Sequence, residues 1–111
     1  MKYLISCLLI FSYIKAFDYK LTPIKLNENS YYFYGKEEYF SSLNAGDISN
    51  VSFIITQNSV ILIDTGSSYE YGLQIKEAIQ KVTKNPIKYI INTHHHPDHF
   101  LGNQAFADVP I

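Results

Sequence analysis

The feature that most constrains the fold is a succession of apolar segments beyond residue 50. Val51 to Thr56 and Val60 to Asp64 are β-branched runs joined by Gln57-Asn58-Ser59, the length of a tight hairpin connection. Tyr71, Ile75, Ala78, Ile79 and Val82 then recur at helical spacing. Ser67 with Glu70 predicts a capping box at the start of that helix, Lys81 and Lys84 suit its last turn, and Pro86 stops it. Ile87 to Asn92 follows as another strand. The order predicts an α/β sheet with helices packed on it. Both hairpin runs are almost wholly apolar, so both sheet faces are expected to be covered.

Upstream, Tyr19 to Leu26 and Tyr31 to Tyr34 read as the first strands, separated by the turn formers Asn27-Glu28-Asn29-Ser30. Residues 35 to 50 show no clean period and read as a long loop, of the kind that more often carries function than not. Tyr31, Tyr32, Tyr34 and Tyr39 are candidates to flank a pocket for an apolar group, although aromatic strand residues more often simply pack.

The N-terminus has a different character. Met1-Lys2 precedes an apolar run from Tyr3 to Ile14, and Lys15-Ala16 precedes a rise in polarity at Phe17-Asp18. That is the pattern of a secretory signal peptide over 1–16, cut after Ala16, with the domain spanning 17–111. The run is too short for a bilayer span of about 20 residues. Export to the periplasm is therefore expected, with no stable membrane anchor after cleavage. The single cysteine, Cys7, falls inside the leader, which leaves neither a disulfide nor a thiolate ligand in the mature chain. Loss of Lys2 and Lys15 leaves seven lysines against ten acids, a net charge of −3. A chain without a basic face is a poor nucleic-acid partner.

The chemistry is concentrated at the end of the last strand. All four histidines lie in Thr93-His94-His95-His96-Pro97-Asp98-His99, followed by a short expected helix, Phe100 to Phe106. Imidazole and carboxylate are the donors zinc takes at about 2.0–2.2 Å. In extended backbone, residues two apart point the same way, so His94 and His96 can share one ion while His95 points away. Pro97 stiffens the turn into the helix, where Asp98 and His99 can reach a second ion. A polyhistidine tag would stand at a terminus, and this run sits between a strand and a helix.

His94-x-His96-x-Asp98-His99 after a strand, with Asp64-Thr65-Gly66 one helix upstream, resembles the metallo-β-lactamase superfamily. The resemblance runs from about Tyr31 to the C-terminus and implies the N-terminal half of an αββα sandwich. It further implies that His94 and His96 hold a first zinc, that Asp98 and His99 hold a second, and that Asp64 orders the loop from behind. Asp98 is the implied catalytic residue, orienting a metal-bound hydroxide for hydrolysis of a small-molecule substrate. Gly102-Asn103 after the ligands is similar to exported hydrolases found with sulfur-oxidation and quinoprotein systems. Iron-dependent persulfide dioxygenases of the same superfamily and a non-catalytic periplasmic metal-binding role remain as alternatives. Family members have about twice this length, and their second half supplies a further His, a bridging Asp and a last His. Asp108 stands too close to His99 to be that bridge. The chain is therefore expected to be an N-terminal fragment, inactive alone, with Ala107 to Ile111 opening the next strand.

Overall fold

The computed structural model describes residues 16–111. The leader expected over 1–16, apart from Ala16, and Cys7 within it lie outside the described residues. Five strands form one sheet in chain order: β1 (Ile24–Lys25), β2 (Ser30–Phe33), β3 (Val51–Ile55), β4 (Val60–Ile63) and β5 (Ile87–Ile91). Neighbours are antiparallel up to β4, and β5 joins β4 in parallel after the crossover helix α1 (Tyr69–Val82). The chain then enters a four-residue helix, α2 (Pro97–Phe100), and a 3-10 segment, Leu101–Phe106. Among the described residues no helix is long and apolar enough to cross a membrane.

Register explains where the core lies. Tyr31, Phe53, Leu62 and Ile90 align across β2 to β5 on one face, joined there by Phe33, Val51 and Val60. Against this face α1 sets Tyr71, Ile75, Ala78 and Ile79, with Ala105 and Phe106 of the 3-10 segment beside them. Phe33, Phe53, Leu62, Tyr71 and Phe106 are fully buried. A large apolar side chain so removed from water contributes about 1.5–3 kcal/mol. Tyr31 stacks on Phe53 with ring centroids 5.0 Å apart, so this tyrosine packs. Tyr39 instead stands almost fully in solvent.

The expectation that both sheet faces are covered is not met. β3 and β4 alternate buried and half-buried positions, and Ile54, Tyr89 and Ile91 on the opposite face are 37%, 55% and 52% exposed. Helices among the described residues pack on one side only, which leaves a half-covered sheet despite its apolar sequence.

Four local expectations are also corrected. The N-cap of α1 is Ser68, whose extended backbone lets its Oγ accept from Tyr71 N–H. Ser67 is turned inward and donates to the Ala45 carbonyl, so the pair with Glu70 is not a capping box; Glu70 still favours the first turn. The helix ends at Val82, with Thr83 extended, before Pro86 is reached. Most of Tyr19 to Leu26 is not strand: only Ile24–Lys25 pairs, and at the start of the segment Gln74 of α1 holds the chain instead, with Tyr19 N–H donating to Gln74 Oε1 and Gln74 Nε2 donating to Phe17 O. Residues 107–111 form no strand, although Ile90 N–H on the edge of β5 donates to Pro110 O.

Candidate metal centre

The site grows from two chain segments that leave adjacent parallel strands at the same end. After β4 comes Asp64-Thr65-Gly66, and after β5 comes Asn92 to His96. Asp64 adopts a left-handed backbone, φ 63°, and is 3% exposed. Such a conformation in a non-glycine residue costs on the order of 1–3 kcal/mol and persists only where the surroundings fix it. Here they do. Asp64 Oδ1 accepts from Thr93 N–H at 2.8 Å, the Thr93 hydroxyl lies 2.8 Å from Oδ2 and 3.1 Å from Oδ1, and His99 Nδ1 lies 2.7 Å from Oδ2.

The next two residues lace the same segments together. Thr65 N–H donates to His99 O, Gly102 N–H donates to Gly66 O, and Thr65 Oγ1 donates to Asn103 Oδ1 at 2.7 Å. Gly102 is needed for this approach, because a Cβ there would run into the Thr65 carbonyl. Gly66, at φ 83°, similarly leaves no room for a Cβ beside the Tyr71 ring. The loop 35–50 closes the other side: the buried Ser49 hydroxyl donates to Asp98 O at 2.6 Å.

Within this frame the histidines gather. The His94 ring centroid lies 4.1 Å from that of His99 and 4.6 Å from that of His96, while His95 approaches only His96, at 5.3 Å. His94 Nδ1 is 2.8 Å from the Thr93 hydroxyl. His99 Nε2 faces Asp98 Oδ2 at 3.4 Å. Two donors of a tetrahedral zinc with arms of about 2.0–2.2 Å stand about 3.3–3.6 Å apart, so this pair has the bite of a zinc site. The donor chemistry and this spacing fit the metal. Among the described residues, however, no group of three or more His, Cys, Asp or Glu side chains is poised around one point. His94, His96, Asp98 and His99 are thus brought near one another but are not arranged about one common point.

Sequence reasoning named Asp64, His94, His96, Asp98 and His99, but not Thr93, Ser49 or Asn103. Thr93 had a local signal, a hydroxyl next to a ligand candidate at a strand end. Ser49 and Asn103 act across 49 and 38 residues of chain, and no short-range pattern announces such bonds.

Away from the loop, one buried polar pair ties residues 35–50 to α1. Tyr71 Oη donates to Asp47 Oδ1 at 3.1 Å, and Lys36 lies 3.8 Å from Asp47 Oδ2. Burial pushes the Asp47 carboxyl above its ordinary range, against the opposing pull of the Tyr71 hydrogen bond and Lys36. Burial and the neighbouring carboxylate raise the Tyr71 hydroxyl as well.

Comparison with known proteins places the fold. The model of the metallo-beta-lactamase superfamily matches residues 44–111. A linear primary-alkylsulfatase of Pseudomonas sp. (strain ATCC 19151) is 40% identical over 48 residues, covering 43% of this chain and 9% of the alkylsulfatase. Two solved structures share the fold at 24% identity. The metallo-beta-lactamase FIM-1 of Pseudomonas aeruginosa in its mono-zinc form has a TM-score of 0.64 over 79% of this chain and 38% of its own. MEM-A1, a subclass B3 metallo-beta-lactamase from a soil metagenome library, has a TM-score of 0.58 over 80% of this chain and 30% of its own. The chain spans well under half the length of each of these relatives. With β3 to β5, α1, the Asp64 turn and the histidine loop all inside the matched region, the chain belongs to the metallo-beta-lactamase superfamily.

Proposed function

We propose that the protein is an exported zinc-dependent hydrolase, with His94 and His96 serving one ion, Asp98 and His99 a second, and the remaining donors coming from outside these 111 residues. The observation that carries this reading is the 3.4 Å pairing of His99 Nε2 with Asp98 Oδ2 beside the His94 and His96 rings, above a buried carboxylate. When bound, zinc supplies a water that ionises near neutral pH and a Lewis acid for the substrate's oxygen. The chain's own part is positional. Asp64 fixes the His99 ring, the Ser49 hydroxyl holds the backbone at Asp98, and the Asp98 carboxylate is placed to accept a proton and to orient a water.

The substrate is a small molecule. The alkylsulfatase match favours an ester with an apolar tail, and the exposed Tyr39, Phe40 and Leu43 on the loop tied to Asp98 suit that class. With an unclosed donor set and one bare sheet face, residues 17–111 alone are expected to be inactive, to bind zinc weakly and to associate through the exposed face. The test is metal analysis of the purified protein, with any residues encoded beyond Ile111 included, followed by turnover of an alkyl sulfate and of nitrocefin. Zinc with ester cleavage supports the reading, and lactam cleavage alone moves the substrate class. Iron with oxygen consumption points to a dioxygenase, and metal without turnover points to a binding protein.

A further inference from the structure

The hydrogen bonds around Asp64 determine where the protons of two histidines sit, and one of them is set through an intermediary. The Asp64 carboxylate only accepts. His99 Nδ1, 2.7 Å from Oδ2, must therefore carry a proton, and in the neutral ring this leaves the lone pair on Nε2, on the side of Asp98. The Thr93 hydroxyl has a single proton and two claimants: the Asp64 oxygens at 2.8 and 3.1 Å, and His94 Nδ1 at 2.8 Å. Were the proton given to His94, the hydroxyl oxygen would face a carboxylate oxygen at 2.8 Å with no hydrogen between them. Given to Asp64, it leaves a lone pair on Thr93 Oγ1 that His94 Nδ1–H can fill.

We propose that Thr93 is a positioning residue that relays the Asp64 charge to His94, so that this one buried carboxylate holds both His94 and His99 as Nδ1–H tautomers with Nε2 free for a ligand. Among the described residues His96 has no such partner, and none of them fixes its tautomer. The relay rests on the hydrogen-bond geometry of Asp64, Thr93, His94 and His99 alone. Its fate is therefore separable from the zinc-hydrolase reading, which can fail on metal identity or substrate while the relay stands.

The test is nitrogen-15 NMR of the histidine-labelled 111-residue chain, metal-free, in solution or as sedimented protein. It is run at about pH 9, well above the ordinary imidazole value of about 6.5. The wild type should show pyrrole-type Nδ1 and pyridine-type Nε2 at both His94 and His99. Thr93→Val keeps the backbone N–H bond to Asp64; it should move the two His94 nitrogens toward averaged shifts while His99, as internal control of the fold, stays fixed. Thr93→Ser should restore the wild-type pattern. Zinc affinity should fall about 10–100-fold in Thr93→Val, the usual loss when a partner of a metal ligand is removed. A wild-type His94 protonated on Nε2, or a Thr93→Val chain whose His94 keeps the Nδ1–H pattern while His99 is unchanged, overturns the relay.

Discussion

The two flanks of the histidine loop are built to different standards. His94 and His99 stand against Asp64, Thr93 and the Thr65-Gly66 turn, in a lattice of bonds between 2.7 and 3.1 Å. His94, His95 and His96 are all exposed, but among the described residues His95 and His96 have no such bonds, and His96 begins α2 without a side-chain capping bond. The difference teaches that the fold invests order where strand ends from two parallel neighbours meet, and leaves the outward flank to be fixed by whatever it binds. Substitutions on the first flank should cost stability, whereas at His96 they should cost only binding and at His95 little of either.

The harshest way to break the tight flank is Gly102→Ala. Its Cβ would collide with the Thr65 carbonyl, and rigid backbone cannot yield as a side chain end would. A loss of about 3 kcal/mol is expected in denaturant unfolding, near the upper end of ordinary overpacking. Asp64→Ala comes next. It leaves Thr93 N–H and His99 Nδ1–H without their acceptor, at about 1–3 kcal/mol for a buried donor. Asp64→Asn, which keeps one acceptor oxygen and tolerates the left-handed backbone, should lose less.

A smaller effect sharpens the comparison by lying off the loop. Because burial raises the Asp47 carboxyl in the folded protein, the folded state holds this proton more firmly than the unfolded chain does. Its contribution is present below the ordinary value of 3.8 and is lost as pH rises through the raised folded value. Asp47→Asn keeps an acceptor for the Tyr71 hydroxyl and cannot ionise. The stability of the variant relative to wild type should therefore climb between pH 3 and pH 7. Equal pH profiles would place the source of the acid dependence elsewhere. His95→Ala should change the least, staying within about 0.5 kcal/mol of wild type as an exposed substitution does.

Much of this division was legible in the residues. The β-branched runs, the helical period of Tyr71 to Val82 and the donor-rich loop have short-range signatures, and strand, helix and loop appear where those signatures lie. Coverage of the sheet was misread because an apolar strand in sequence looks the same whether one face or both are packed; Ile54 and Phe53 differ only in what lies above them. The cap fell one residue late because Ser67 and Ser68 are chemically alike, and only the inward turn toward Ala45 separates them. Thr93 and Ser49 escaped notice because their partners are brought near by the parallel pairing of β4 with β5 and by the return of loop 35–50.

The most direct test of the account is zinc titration of the 111-residue chain against a chromophoric chelator, with each proposed ligand pair removed in turn. The account predicts weak, saturable binding that falls with His94→Ala/His96→Ala, falls again with Asp98→Ala/His99→Ala, and is untouched by His95→Ala. A chain with no measurable affinity for zinc, or one whose binding survives both double variants or depends on His95, would contradict it.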